Sequence, residues 1–147
     1  MNNRTLTSAN AILLISVQQL YASPQRIQGF SSDDITDTDT VTPGQTSMGI
    51  DGRLSAGFVP AKVRQNITLQ ADSLSNDIFE HWFEAQKSQR EMFVASGVII
   101  IPSTQRRYTM VRGFLMGVPP TPALRAVVQP RRYSIEWENV SPAPYII

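Results

Sequence analysis

Four aspartates stand close together in one short polar segment and are the residues of this chain best placed to form a chemical site. They are Asp33, Asp34, Asp37 and Asp39. Carboxylates at this spacing could bind calcium or work as an acid–base pair. An EF-hand loop beginning at Asp37 would need glycine at its sixth position, where the chain has Thr42. The segment also offers no hydrophobic surroundings that would raise one carboxyl pKa. A solvated loop, a looser calcium site and a charged contact with a partner remain open.

Other residue types restrict the chemistry further. The chain has no cysteine, which excludes thiol nucleophiles, iron–sulfur clusters and cysteine zinc sites. The single histidine, His81, lies among aromatic residues, which favours a helical packing position over a catalytic one. No glycine-rich phosphate loop is present. We therefore expect no cofactor and no enzymatic activity, and the alternative is a small hydrolase using Asp33, Asp34 or Glu84.

The charge balance argues against a dedicated nucleic-acid binder. Thirteen basic and twelve acidic residues give a net charge of +1, and only 17% of the 147 residues are charged. Low charge together with ten prolines suggests a surface that is hidden against copies of the same chain. Two arginine doublets, Arg106-Arg107 and Arg131-Arg132, come late in the sequence. We expect these doublets to meet the acidic segment across a contact between subunits.

The clearest strand pattern covers residues 62–71. Apolar side chains alternate with polar ones, apart from Gln65 on the apolar face, and this period of two is typical of a half-buried antiparallel strand. The polar face carries Lys62, Arg64, Asn66, Thr68 and Gln70.

One helix is predicted, over residues 75–89, with Ser73 or Ser75 as its cap. Its apolar side chains recur at helical spacing and predict a face that packs on the sheet. That face contains Ile78, Phe79, Trp82 and Phe83.

The remaining patterns predict six or seven strands in one domain spanning residues 1–147. Besides 62–71, the strands cover residues 12–20, 25–31, 92–101, 107–118 and 132–140, with Ser23-Pro24 and the prolines at 142 and 144 as breaks. Residues 32–60 hold little core content beyond a small hairpin on Asp51-Gly52, so contacts between subunits are expected to order them. The apolar tail Tyr145-Ile146-Ile147 is expected to dock on a neighbour.

The first residues allow a second interpretation. Polar residues precede the apolar run 11–17, which is a crude signal-peptide outline, although a β-strand explains the same residues. The alternative is then a secreted β-sandwich adhesin. No stretch approaches the roughly 20 apolar residues that a membrane helix needs.

Two segments and the order of the elements resemble the tail tube proteins of tailed bacteriophages. The segments are NITLQADSLSND at residues 66–77 and RRYSIEWEN at residues 131–139. Between them come an aromatic helix, a hairpin and a proline-rich crossover, so that the resemblance covers residues 23–140. It points to long-tailed phages, with a contractile tail as the favoured type.

This resemblance implies an antiparallel β-barrel or β-sandwich subunit with a flanking helix that assembles into a ring. Six subunits would form each ring, and stacked rings would form a hollow tube that conducts DNA without binding it specifically. The polar face of residues 62–71 would line the lumen or an interface, and the four aspartates would face the lumen or a contact between subunits. Further partners would be the sheath, baseplate and tape-measure proteins, in a virion tail made in the host cytoplasm. Another virion component, such as a tail terminator, a baseplate hub or a decoration protein, is the alternative within this class.

Overall fold

Nine antiparallel strands and one helix make up the parts of the chain that the structure, a computed structural model, describes, namely residues 11–30 and 36–145. In chain order they are β1 (Ile12–Val17), β2 (Tyr21–Ile27), β3 (Thr36–Thr38), β4 (Gly44–Met48), β5 (Leu54–Phe58), β6 (Val63–Leu69), α1 (Asn76–Gln89), β7 (Ala95–Ile101), β8 (Arg106–Gly117) and β9 (Arg131–Pro144). The mainly-β class with one flanking helix is confirmed. The predicted number of six or seven strands was too low by two or three.

Seven strands form one open sheet in the order β2-β1-β7-β8-β9-β6-β3, and β4 and β5 form a separate hairpin. The two edge strands, β2 and β3, do not pair with each other, so the sheet does not close into a barrel. The fold is β-sandwich-like. A single bridge between Phe30 and Leu69 brings the two flanks together at one point. Of the two architectures expected, the sandwich is the one observed.

Prolines lie inside two strands whose ends they were expected to mark, Pro24 before the second strand and Pro142 after the last one. Pro24 lies within β2, which pairs with β1 on one side and forms the edge of the sheet. Pro142 and Pro144 lie in the part of β9 that pairs with β8, beyond Trp137, where the pairing with β6 has ended. Proline is tolerated wherever its missing N–H faces an unpaired side. Both predicted breaks were therefore wrong for the same reason.

The core lies between the sheet and the buried side of α1. Phe79 and Trp82 are fully buried, and Phe79 stacks on Tyr133 with ring centroids 4.3 Å apart. Ile78 and Phe83 are partly buried and pack against the same cluster. The four side chains expected on the packing face of the helix thus all lie on the core.

The serines before α1 attach it to β2, and the structure shows no capping bond from the Ser75 side chain. The Ser75 Oγ accepts a hydrogen bond from the Gln28 N–H at 2.8 Å, and the Ser73 Oγ donates to the Gln28 carbonyl at 2.6 Å. Gly29 has a φ of +73°, and a Cβ there would collide with Ser73. This close approach fixes the start of the helix against the sheet. Ser75 is at the N-cap position, as predicted, but its side chain makes no capping bond.

Candidate assembly surfaces

The β4–β5 hairpin has one polar and one apolar face. Directly paired residues in antiparallel strands point to the same side, and successive residues alternate. The pairs Thr46–Ala56 and Met48–Leu54 therefore share a face with Phe58, whereas the pair Ser47–Ser55 lies on the other. We call the first of these the hairpin face: Met48, Leu54, Ala56 and Phe58.

Nothing in the described part of the chain covers the hairpin face. Leu54 and Met48 are each 64% exposed, Phe58 is 82% exposed, and Ile50 at the turn is fully exposed. β4 and β5 contact each other, and no other strand or helix packs against them beyond isolated contacts. A two-stranded hairpin in water is marginally stable on its own. Large apolar side chains exposed in a row indicate a surface that is covered in an assembly.

A second surface is the outward side of the sheet at β6, β9 and β8, which we call the charged face. Two of its basic side chains lie beside acids: Lys62 is 3.2 Å from Glu136, and Arg112 lies 3.8 Å from Glu138. The Arg64 guanidinium donates to the Ser134 Oγ at 3.3 Å. Lys62 and Arg112 on this face therefore have carboxylate neighbours, whereas Arg64 has a hydroxyl partner.

The polar residues of β6 are not equally exposed. Arg64 and Lys62 are exposed, whereas Asn66 is buried and Thr68 is half-buried. The Asn66 amide donates to Asp39 at 3.2 Å and accepts from the Ser134 Oγ at 3.1 Å. Gln70, just beyond the strand, is exposed, and its N–H donates to the Gly29 carbonyl. Asn66 thus belongs to a hydrogen-bond network between neighbouring strands, and little of it is exposed.

The acidic segment is described in part. Asp37 and Asp39 are exposed, at β3 and just after it, and Asp37 lies 3.8 Å from Arg132. Asp33 and Asp34 lie outside the described residues. No group of three or more metal-binding side chains occurs in the described ranges. The acidic segment and one arginine doublet thus do meet, but this contact lies within one chain, where we had expected it between subunits.

The four arginines of the doublets have different environments. Arg106, Arg107 and Arg132 are exposed, whereas Arg131 is buried. The Arg131 guanidinium pairs with Glu80 on α1 and donates to the Pro119 carbonyl at 2.8 Å. Arg131 therefore connects α1 and the proline-rich crossover at Pro119 to β9. Its guanidinium binds groups of its own chain.

Tyr133, two residues further along β9, is buried beside this ion pair. Its hydroxyl donates to the Asn76 Oδ1 at 2.9 Å. Burial raises the pKa of Tyr133 to about 12, against the opposing effect of the Arg131 charge. His81, on the other side of α1, is exposed, and its Nδ1 lies 3.1 Å from the Tyr21 hydroxyl. His81 therefore joins the helix to β2.

An apolar groove opens beside β3, and we call it the end groove. It has a volume of about 480 Å³ and is lined by Val63, Ile99, Ile101, Tyr108, Val140 and Pro142. Asp37 and Thr38 form part of its polar rim. Tyr145, whose N–H donates to the Gln105 carbonyl at 2.9 Å, is half-buried after the end of β9. Ile146 and Ile147 lie outside the described residues.

Sequence reasoning missed the groove and the hairpin face. The hairpin itself was predicted from Asp51-Gly52, and the alternation Leu54, Ala56, Phe58 after that turn carried a signal for an apolar face. The groove joins residues from five strands, β3, β6, β7, β8 and β9, which are spread along most of the chain, so no local pattern could reveal it. Within the described residues, no helix is long and apolar enough to cross a membrane.

The fold matches subunits of contractile injection systems. A chain of the anti-feeding prophage baseplate superposes with a TM-score of 0.62 at 8% identity and covers 100% of both chains. A chain of the tube-terminating cap of that prophage gives 0.59 at 11% identity, covering 98% of this chain and 94% of that one. A chain of the PVC sheath–tube complex, an extracellular contractile injection system in its extended state, gives 0.58 at 12% identity, covering 90% and 88%.

These likenesses define the class of fold, that of subunits found in tube, cap and baseplate assemblies. The family is shown by a separate comparison. The model of the family described as tail fiber protein gp32 matches residues 4–141, so the chain belongs to that family. It is a phage-tail-like structural protein of a virion or a related particle. No curated protein matches it.

Proposed function

We propose that this protein is a tail tube subunit, of which six copies form a ring and successive rings stack into a hollow tube. The fold shared with a sheath–tube complex over 90% of the chain supports this role. So does membership of a phage-tail family. The role is structural, with the same chain as its main partner and with sheath, baseplate and tape-measure proteins as neighbours in a particle made in the host cytoplasm.

The observation that carries the proposal is the hairpin face. Met48, Leu54 and Phe58 are exposed on one side of a hairpin against which no other described strand or helix packs closely. When a surface binds a different surface on the next copy, the contacts are head-to-tail, and they close into a ring or continue as a filament. The hairpin, which is separate from the seven-stranded sheet, offers such a surface.

The charged face suits the wall of a channel that conducts DNA. Lys and Arg side chains that are free to contact phosphates would hold DNA, with an affinity that falls steeply with salt. On this face, Lys62 and Arg112 have carboxylate neighbours. We infer that this is the surface facing the lumen and that DNA passes it without being retained.

Electron microscopy of the purified chain tests the tube role. The unmodified protein is expected to form rings about one subunit thick and tubes of stacked rings. Phe58→Ser on the hairpin face should abolish the tubes, whereas Gln45→Ala on the opposite side of the hairpin should leave them intact. Circular dichroism should show the same fold for both variants, because both residues are exposed. Monomers of the unmodified protein under all conditions would contradict the proposal.

A second candidate role is a fibre part, which the description of the family favours. The solved structures also include cap and baseplate subunits, which would stop after one ring. The number of copies per particle separates these roles. A tube subunit should repeat along the whole tail, in proportion to tail length, whereas a fibre, cap or baseplate subunit should be confined to one end. Quantitative mass spectrometry of particles, with cryo-electron microscopy, measures both.

A further inference from the structure

The end groove and the hairpin face are complementary surfaces on the same molecule. The groove is apolar along its length and has the size of clefts that hold ligands, about 300–1,000 Å³. The hairpin face presents apolar side chains that are 64–82% exposed at Met48, Leu54 and Phe58. Covering one with the other would remove both exposed apolar surfaces from water, which is favourable by about 25 cal/mol per Å².

The hairpin face does not occupy the groove of its own chain. No residue of β4 or β5 lines that groove, and the side chains of the hairpin face are exposed. The two arms of the hairpin are joined at their base, where the Val59 N–H donates to the Pro43 carbonyl at 3.0 Å. The groove of a second copy is a site that the hairpin face can fill.

The charges at the two surfaces have opposite signs. Arg53 follows the hairpin turn and is exposed, and no ion pair involving it occurs in the described part of the chain. Asp37 on the rim of the groove is 65% exposed and has Arg132 at 3.8 Å, which leaves its carboxylate accessible. An arginine brought to that rim would find a carboxylate partner.

We propose that the hairpin face of one copy occupies the end groove of a second copy, with Arg53 at the Asp37 rim. This inference rests on the proposed self-assembly and gives it a specific contact. The contact is heterologous, since each chain donates a hairpin and offers a groove. The same contact can therefore be repeated from one copy to the next, either around a ring or along a stack of rings.

Disulfide cross-linking tests this contact cleanly, because the chain has no cysteine. Leu54→Cys places a thiol on the hairpin face, and Pro142→Cys places one in the groove. Ser55→Cys, the next residue along β5, is the matched control, since its side chain points to the opposite side of the hairpin. All three positions are exposed, so the variants are expected to fold. Pairs of single-cysteine variants are mixed, allowed to assemble, oxidised and analysed on non-reducing gels.

The expected result is a covalent dimer from the mixture of L54C and P142C, and its loss from the mixture of S55C and P142C. The L54C/P142C double variant should give a ladder of covalent multimers. Rings or tubes without the L54C–P142C dimer would overturn the groove contact and leave the tube role standing. Equal cross-linking by the control, or a disulfide within one chain, would overturn it as well. Absence of any assembly by microscopy would contradict both proposals.

Discussion

Trp137 is packed between a polar partner and a glycine that leaves room for its ring. Its indole N–H donates to the Gln65 Oε1 at 2.9 Å, and the Gln65 amide donates to the Thr36 Oγ1 at 2.9 Å. This explains why a glutamine occupies the apolar side of β6. Sequence alone marked Gln65 as an exception without a reason, because its partners lie 29 and 72 positions away.

Gly113 is the glycine that makes this packing possible. A Cβ at this position would collide with the ring of Trp137, which is itself fully buried. We expect Gly113→Ala to lower the free energy of unfolding by about 1–3 kcal/mol, as overpacking does. Gly57→Ala is the control, because a Cβ there meets nothing within 4 Å, and its effect should stay within about 0.5 kcal/mol. Urea denaturation followed by tryptophan fluorescence measures both, and equal effects would contradict this packing.

Tyr133 makes stability sensitive to alkaline pH. Its pKa of about 12 in the folded chain lies above the value of 10.0 for an exposed tyrosine. Above pH 10 the unfolded chain therefore loses this proton while the folded chain keeps it, and the free energy of unfolding falls. The contribution is complete below pH 10 and is lost as pH rises to 12, at a total on the order of 2–3 kcal/mol.

The measurement is chemical denaturation between pH 9 and pH 12. Tyr133→Phe serves as the control, because it has no proton to lose at this position. It should be less stable than the unmodified chain at neutral pH, since the Asn76 Oδ1 loses its donor. Its stability should also fall less steeply above pH 10. Identical slopes for the two proteins would show that Tyr133 is not the responsible group.

At the scale of elements, one buried ion pair helps to attach α1 to β9, together with the Tyr133–Asn76 hydrogen bond. The Arg131 side chain is 5% exposed, and Glu80 is half-exposed. Removing the negative charge leaves a buried guanidinium with the Pro119 carbonyl as its remaining partner. We expect Glu80→Gln to cost about 1–3 kcal/mol of stability.

Glu84→Gln is the matched control on the same helix. Glu84 pairs with Lys87 at 3.6 Å, and both side chains are about two-thirds exposed. Loss of such a surface pair should change the unfolding free energy by no more than about 0.5 kcal/mol. Thermal denaturation of the two variants compares them directly. A Glu84 variant that is destabilised as much as the Glu80 variant would refute the assigned role of Arg131.

Element types and their approximate positions could be predicted from local patterns. β6 and α1 follow from alternation and from helical spacing, and both were found within two residues of the predicted ends. Strand ends at prolines could not be predicted, because whether Pro24 or Pro142 is tolerated depends on which side of the strand is paired. The short strand β3 was missed, since its three residues show no apolar pattern and exist through their pairing with β6.

At the scale of the whole molecule, the proposed position of the charged face on a lumen predicts how tubes of this chain would treat DNA. Glu136→Gln together with Glu138→Gln would leave Lys62 and Arg112 without carboxylate neighbours. We expect tubes of this double variant to retain double-stranded DNA that tubes of the unmodified chain release. Each new phosphate contact should add about −0.9 to the slope of log affinity against log salt.

DNA retention on sedimented tubes across a salt series measures this effect. Glu84→Gln together with Glu91→Gln is the control, because it removes the same charge from α1 and the residues after it, away from the charged face. That variant should release DNA as the unmodified tubes do. If both double variants retained DNA equally, net charge alone would explain the result, and the charged face would not line the lumen.

The long strand β9 also affects how a particle built from this chain resists pulling. It spans 14 residues and is bonded to β8 along most of its length and to β6 along half of it. A force along β9 loads many of these hydrogen bonds simultaneously, in shear. The proposed contact through the hairpin face has no such ladder, because β4 and β5 pair with each other and with no other described strand. Under tension we therefore expect the sheet to stay intact while the proposed contacts between copies part first.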